Sequence, residues 1–167
     1  MRLVPWLLAP WLLSGCLMAD PTPRNPAPAG GSVSSSSETI PASASSVAGF
    51  GAALNRMRAQ AGLEGLREDG HLKRAAQAFA EDMAANGYHS HHGRDGSTVV
   101  ERARRAGCGG RGYVAENIAW GQDSVQDTFA GWSASAGHRA NMLGRNYGVY
   151  GLGQAGGMWV LVVADGC

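Results

Sequence analysis

The chain has 167 residues, a formal net charge of +1 and 16% charged residues, with acidic and basic side chains interspersed. That balance excludes the basic stripe a nucleic-acid binder needs to neutralise phosphates. The length allows one ordinary domain plus a tail, and the prolines argue for the tail: all seven lie at or before Pro41.

Met1-Arg2 forms a minimal positive n-region ahead of apolar residues 3–13, which two prolines interrupt and which are too few to span a bilayer. Residues 1–15 therefore read as a signal peptide. Leu13-Ser14-Gly15-Cys16 resembles the lipobox of bacterial lipoproteins, so the expectation is cleavage before Cys16 and acylation of its thiol. Several acyl chains, at about 0.8 kcal/mol per buried methylene, would anchor the exported protein to a membrane. Leu17 stands where an Asp would favour inner-membrane retention, which points to the outer membrane in a two-membrane host. An ordinary signal peptide with a chance cysteine is the alternative.

Residues 21–46 are almost entirely Pro, Ala, Ser, Gly and Thr, too poor in large apolar groups to offset chain entropy. Residues 16–45 are expected to be a lipidated cysteine and disordered linker, and residues 46–167 one monomeric domain. Cys108 and Cys167 are then an even pair in an oxidising compartment, expected to form one disulfide. Two free buried thiols or a metal pair are the alternatives.

Within the domain, Val47, Phe50, Leu54 and Met57 recur at helical spacing, with Ser46 as N-cap and Gly62 beyond the end. Leu72, Ala75, Ala76, Phe79, Ala80 and Met83 mark a second helix behind Asp69, stopped by Asn86-Gly87. Thr98-Val99-Val100-Glu101 has the form of a capping box and opens a short third helix ending near Gly107. Its Arg102, Arg104 and Arg105, with Arg111, read as a solvated face and exit loop, a wall-polymer or anionic-lipid contact being the alternative. Residues 117–120 suggest a strand, and Ser124 caps a fourth helix carrying Val125, Phe129 and Trp132. Residues 147–154 and 158–164, joined through Gly156-Gly157, read as a hairpin whose second strand is apolar enough to be buried on both faces. Helices first and an antiparallel sheet last is an α+β order, most simply a sheet between helices.

Several blocks in sequence order are similar to the bacterial branch of the CAP (SCP-like) superfamily, the cysteine-rich secretory, antigen 5 and pathogenesis-related proteins. They are Gly62-Leu63 with Leu66, Tyr88-His89-Ser90-His91 before Asp95-Gly96, and Ala115-Glu116-Asn117-Ile118-Ala119. Trp132, Gly137-His138-Arg139-Ala140-Asn141-Met142-Leu143, and Gly151-Leu152-Gly153 before Trp159 complete the set. The resemblance implies an α-β-α sandwich and a cleft usually carrying two His and two Glu. His91, Glu116 and His138 match three of those positions, while Ser135 stands where a second Glu would be.

Two imidazoles and a carboxylate in one cleft could hold a divalent ion such as Zn²⁺ or act as acid and base. His91 could equally be a surface histidine, His138 a capping or packing residue for the turn at 139–143, and Glu116 a binder of backbone amides. His89 and His92 could supplement a metal or face solvent, and Glu101 could replace the missing carboxylate or simply complete its capping box. Asn117 and Asn141 are better suited to structural roles. No Gly-x-Ser-x-Gly, His-Glu-x-x-His or phosphate-binding loop is present. Two functions remain. One is a displayed binding module for a metal, peptide, lipid or envelope protein; the other is a metal-assisted hydrolase using His91, His138 and Glu116.

Overall fold

The computed structural model describes residues 47–110 and 112–167, so the expected signal peptide, Cys16, the linker, Ser46 and Arg111 lie outside the described residues. The elements run α1 Val47–Gln60, β1 Arg67–Glu68, α2 Gly70–Asn86, α3 Val99–Arg105, β2 Val114–Trp120, α4 Val125–Ala134, α5 Ala136–Met142, β3 Val149–Ala155 and β4 Met158–Ala164. None of these helices is long and apolar enough to cross a membrane.

Local chemistry sets the helix ends. The Asp69 carboxylate accepts from the N–H groups of His71 and Leu72 to open α2, and Gly87 closes it in the left-handed conformation at φ 64°. Thr98 and Glu101 form the reciprocal capping box of α3, which settles Glu101 in that role. Residues 136–142, expected as no more than a short turn around 139–143, form the helix α5, entered from Ser135 without a side-chain cap.

The sheet has the order β1-β3-β4-β2. β4 lies between antiparallel β3 and β2, as the continuous apolar run Met158 to Ala164 requires. The two-residue β1, which the sequence does not announce, pairs with β3 in parallel. β2 begins at Val114 and not at Asn117 as expected, which puts Glu116 in a strand.

Side-chain alternation along β4 divides the core. Trp159, Leu161 and Val163 pack with Phe50, Leu54, Trp132 and Met142 of α1, α4 and α5. Val160, Val162 and Ala164 pack with Leu72, Ala76, Phe79 and Met83 of α2. This is the expected α-β-α sandwich. Gly151 and Gly153 are required where α2 crosses β3: a Cβ on either would collide with the helix backbone at Leu72 and Lys73, or at Ala76 and Gln77. Gln77 then clamps the contact, donating to the Gln154 carbonyl at 3.0 Å and accepting from its N–H at 3.0 Å. Cys108 and Cys167 are joined by a disulfide, as expected, tying the loop after α3 to the residue beyond β4.

Candidate functional site

β2 is an edge strand, and its alternation decides what reaches the site. Tyr113 and Gly121 hydrogen-bond toward the β4 side through their backbones, so the backbone groups of Glu116, Ile118 and Trp120 face the open edge. Two of those carbonyls are met by side chains: Asn141 donates to Glu116 O at 3.2 Å and the Trp132 indole donates to Ile118 O at 3.3 Å.

The Glu116 side chain is 2% exposed and both carboxylate oxygens are engaged. His91 Nδ1 lies 2.9 Å from Oε1, and Arg102 donates to Oε2 at 2.7 Å. Arg102 also donates to the carbonyls of Ser97, at 2.6 Å, and His91, at 3.2 Å, while its guanidinium lies 3.5 Å from the centroid of the Phe79 ring. Arg104 and Arg105 keep the exposed positions expected of a solvated face. Arg102 does not; its side chain is 11% exposed because a buried carboxylate needs a cation.

His138 approaches from the other face of β2, on α5. Asn117 donates to its carbonyl at 3.0 Å, and Asn141 donates to Asn117 Oδ1 at 2.9 Å, so both asparagines serve the backbone, as expected. Its ring is tilted against Trp132, with centroids 6.5 Å apart. Burial, and secondarily the neighbouring His91, lower the His138 pKa, which favours the neutral imidazole at pH 7. α5 is held by an interaction that sequence reasoning missed. Arg58 of α1, 1% exposed, donates to the Met142 carbonyl at 2.8 Å and the Gly144 carbonyl at 3.0 Å, capping the helix end with a buried cation.

The three family-matched residues therefore meet at the edge of β2 with different roles. Glu116 stands behind His91 as the acceptor that orients its ring, the arrangement a carboxylate takes outside a metal's own ligands. Among the described residues no three His, Cys, Asp or Glu side chains are grouped to hold a metal ion. The donors that remain are two imidazoles, one short of the three protein ligands of a catalytic zinc site. His89 stacks on Trp120 with centroids 3.7 Å apart, and exposed His92 has its N–H on Ser90 Oγ. No hydrogen bond joins a serine hydroxyl to the ring of His91 or His138 among the described residues.

Beside His138 lies a groove of about 440 Å³, with Ile118, Trp120, Gln122, Trp132 and Ser135 in its walls. Trp120 is 51% exposed, and Gln122 Oε1 is buried without a hydrogen-bond partner among the described residues. The sequence announces neither residue as part of a site, since an exposed Trp at a strand end and a loop Gln carry no spacing signal.

The sequence is 30% identical over 107 residues to the uncharacterized protein YkwD of Bacillus subtilis, covering 63% of this chain and 41% of that one. The fold is similar to an extracellular protein containing a SCP domain from Bacillus anthracis, with a TM-score of 0.67 and 26% identity over 70% of this chain and 39% of that one. It is also similar to an outer surface protein of Borrelia burgdorferi, at a TM-score of 0.61 and 16% identity over 70% of this chain and 89% of that one; at that identity only the fold is shared. The match to the two Bacillus proteins spans about two fifths of their length. The CAP (cysteine-rich secretory protein) family matches residues 52–157, from within α1 to the β3–β4 turn and including His91, Glu116 and His138. With that span well over half of the sequence and the sandwich complete around it, the chain belongs to the cysteine-rich secretory protein family.

Proposed function

We propose that this chain is an exported, lipid-anchored CAP protein that displays a binding groove, and that the ligand is an extended peptide. The carrying observation is the saturation of Glu116: with Arg102 on one oxygen and His91 on the other, the carboxylate orients neighbours and does not act as a free acid, base or metal ligand. What remains at the mouth is recognition chemistry. Trp120 is half exposed although His89 stacks on its ring, its backbone lies on the open edge of β2, and Gln122 Oε1 lacks a donor among the described residues. An extended peptide offers an N–H and a C=O to the backbone at Trp120, beyond the edge carbonyls of Glu116 and Ile118 that Asn141 and Trp132 already meet, and a side chain to the indole.

Anchoring through Cys16 rests on Leu13-Ser14-Gly15-Cys16, and the composition of residues 21–46 suits a tether. Export agrees with the extracellular and outer-surface descriptions of the Bacillus anthracis and Borrelia relatives. The hydrolase reading through His91, His138 and Glu116 would need a catalytic carboxylate that is not already held. Titration of the full chain with a pooled library of end-capped pentapeptides, followed by heteronuclear NMR, tests the proposal. Saturable shifts at Ile118, Trp120 and Gln122 that Trp120→Ala removes are expected; shifts absent from β2 would refute it.

A further inference from the structure

The walls of the groove beside His138 narrow what a ligand can place in it. Among the described residues no Asp, Glu, Lys or Arg lines it, and the imidazole of His138 is its one titratable group. Ile118, Thr128 and Trp132 are buried beneath its surface, so a ligand meets chiefly Trp120, Gln122, Gly131, Ser135 and His138. An ionised side chain entering here gives up water without gaining a counter-charge; an uncharged one does not carry that cost.

Gly131 supplies the room. A Cβ at this position of α4 would meet nothing within 4 Å, so the helix presents bare backbone to the groove. His89 fixes another wall. Its ring stacks on the Trp120 indole with centroids 3.7 Å and planes 15° apart. His89 is exposed, and its ring has no hydrogen bond among the described residues, so the stack is the contact that places it. It does not line the groove. The imidazole therefore backs the indole from outside, and Trp120 remains 51% exposed on what is left uncovered. An indole braced on one face offers the other as a platform that needs little ordering when a ligand arrives.

Resting on the peptide reading above, we propose that His89 and Trp120 set the specificity of the groove. His89 is a positioning residue that holds the indole, and the groove-side face of the indole takes one uncharged aromatic side chain of the peptide over Gly131. Stacking favours a flat ring over an aliphatic ring of the same size. A cation over the indole is the rival occupant, but the walls hold no carboxylate to complete its neutralisation.

The probes are end-capped pentapeptides Ala-Ala-Xaa-Ala-Ala, with tyrosine, cyclohexylalanine, lysine or glutamate at the centre. Each is titrated into the full chain carrying Cys16→Ser and followed by heteronuclear NMR. The tyrosine peptide should give saturable shifts at the Trp120 indole N–H and the Gly131 amide. It should bind about fivefold more tightly than the cyclohexylalanine peptide and about tenfold or more over the lysine and glutamate peptides. In His89→Ala the preference for the flat ring should fall to about twofold or less, and His89→Phe, which keeps a stacked ring, should restore it. Gly131→Leu, which fills the open space at a helical position, should abolish binding of all four while the spectrum stays dispersed.

Equal affinity for tyrosine and cyclohexylalanine, a preference for lysine or glutamate, a flat-ring preference unchanged in His89→Ala, or binding that survives Gly131→Leu would each overturn the proposal. So would silence from all four peptides while the pooled library still shifts Ile118, Trp120 and Gln122, an outcome that leaves the peptide reading standing. A library that does not shift those residues removes both.

Discussion

Arg102 donates to Glu116 Oε2 at 2.7 Å in a setting where the carboxylate side chain is 2% exposed and the guanidinium 11%. An ion pair that dry is balanced between a large desolvation cost and a large mutual attraction, and removing one partner leaves the other uncompensated. Arg102→Ala should therefore destabilise the domain by about 3 to 5 kcal/mol, whereas Arg102→Met/Glu116→Leu, which removes both charges, should recover most of that loss. Urea denaturation of the two variants checks this; equal stability of wild type and Arg102→Ala would mean the pair contributes little.

The Cys108–Cys167 disulfide closes a separation of 59 residues. In the chain-entropy model, closure of that length stabilises by about 4 kcal/mol. Cys108→Ser/Cys167→Ser should lower the thermal midpoint strongly, and reduction of the wild type should reproduce the shift. A midpoint that neither change moves would show that the native state of the reduced chain is held equally well.

Much of the fold is legible in the sequence because its signals are local. Asp69, Gly87, Thr98 and Glu101 act on backbone groups a few residues away, and α2 and α3 start and stop where those residues say. The continuous apolar run of β4 likewise announces a strand buried on both faces. β1 is not legible: two exposed residues, Arg67 and Glu68, are a strand only because β3 lies beside them. The site divides the same way. His91, Glu116 and His138 are found by their motif blocks, but the inward turn of Arg102 depends on Glu116 lying across the α3–β2 packing, which no spacing within α3 encodes. Arg58 escapes for a similar reason, since its carbonyl partners at the end of α5 lie more than eighty residues away.

Zinc uptake should be weak and should require both imidazoles. Metal binds the neutral ring, so uptake should fall as pH drops below about 6.5, the ordinary imidazole value. Because burial and His91 depress the His138 pKa, this ring stays neutral to lower pH than an ordinary histidine. The same shift has a stability consequence. The folded state holds fewer protons than the unfolded one, so its contribution is full above the unfolded value and is lost as pH falls below it. The ring is partly exposed, and screening should reduce the effect to roughly a few tenths of a kcal/mol. Calorimetric zinc titrations and melting curves across the mildly acidic to neutral range should show both trends, and His138→Asn should flatten the second. Zinc uptake unchanged in His91→Ala/His138→Ala would remove the imidazoles from that account.

Lipidation of Cys16 predicts that radiolabelled palmitate enters the wild type in its host and not Cys16→Ser, and that the variant leaves the membrane fraction. Equal labelling of both, or equal membrane retention, would remove the anchor.

Whether the groove beside His138 binds or cleaves is decided by mass spectrometry of the pentapeptide library after incubation with the full chain, with and without Zn²⁺. The library should stay intact under both conditions, with bound peptides recovered on wild type and lost on Trp120→Ala. Cleavage products that appear with wild type, increase with Zn²⁺ and vanish in His138→Ala would contradict it and establish the hydrolase instead.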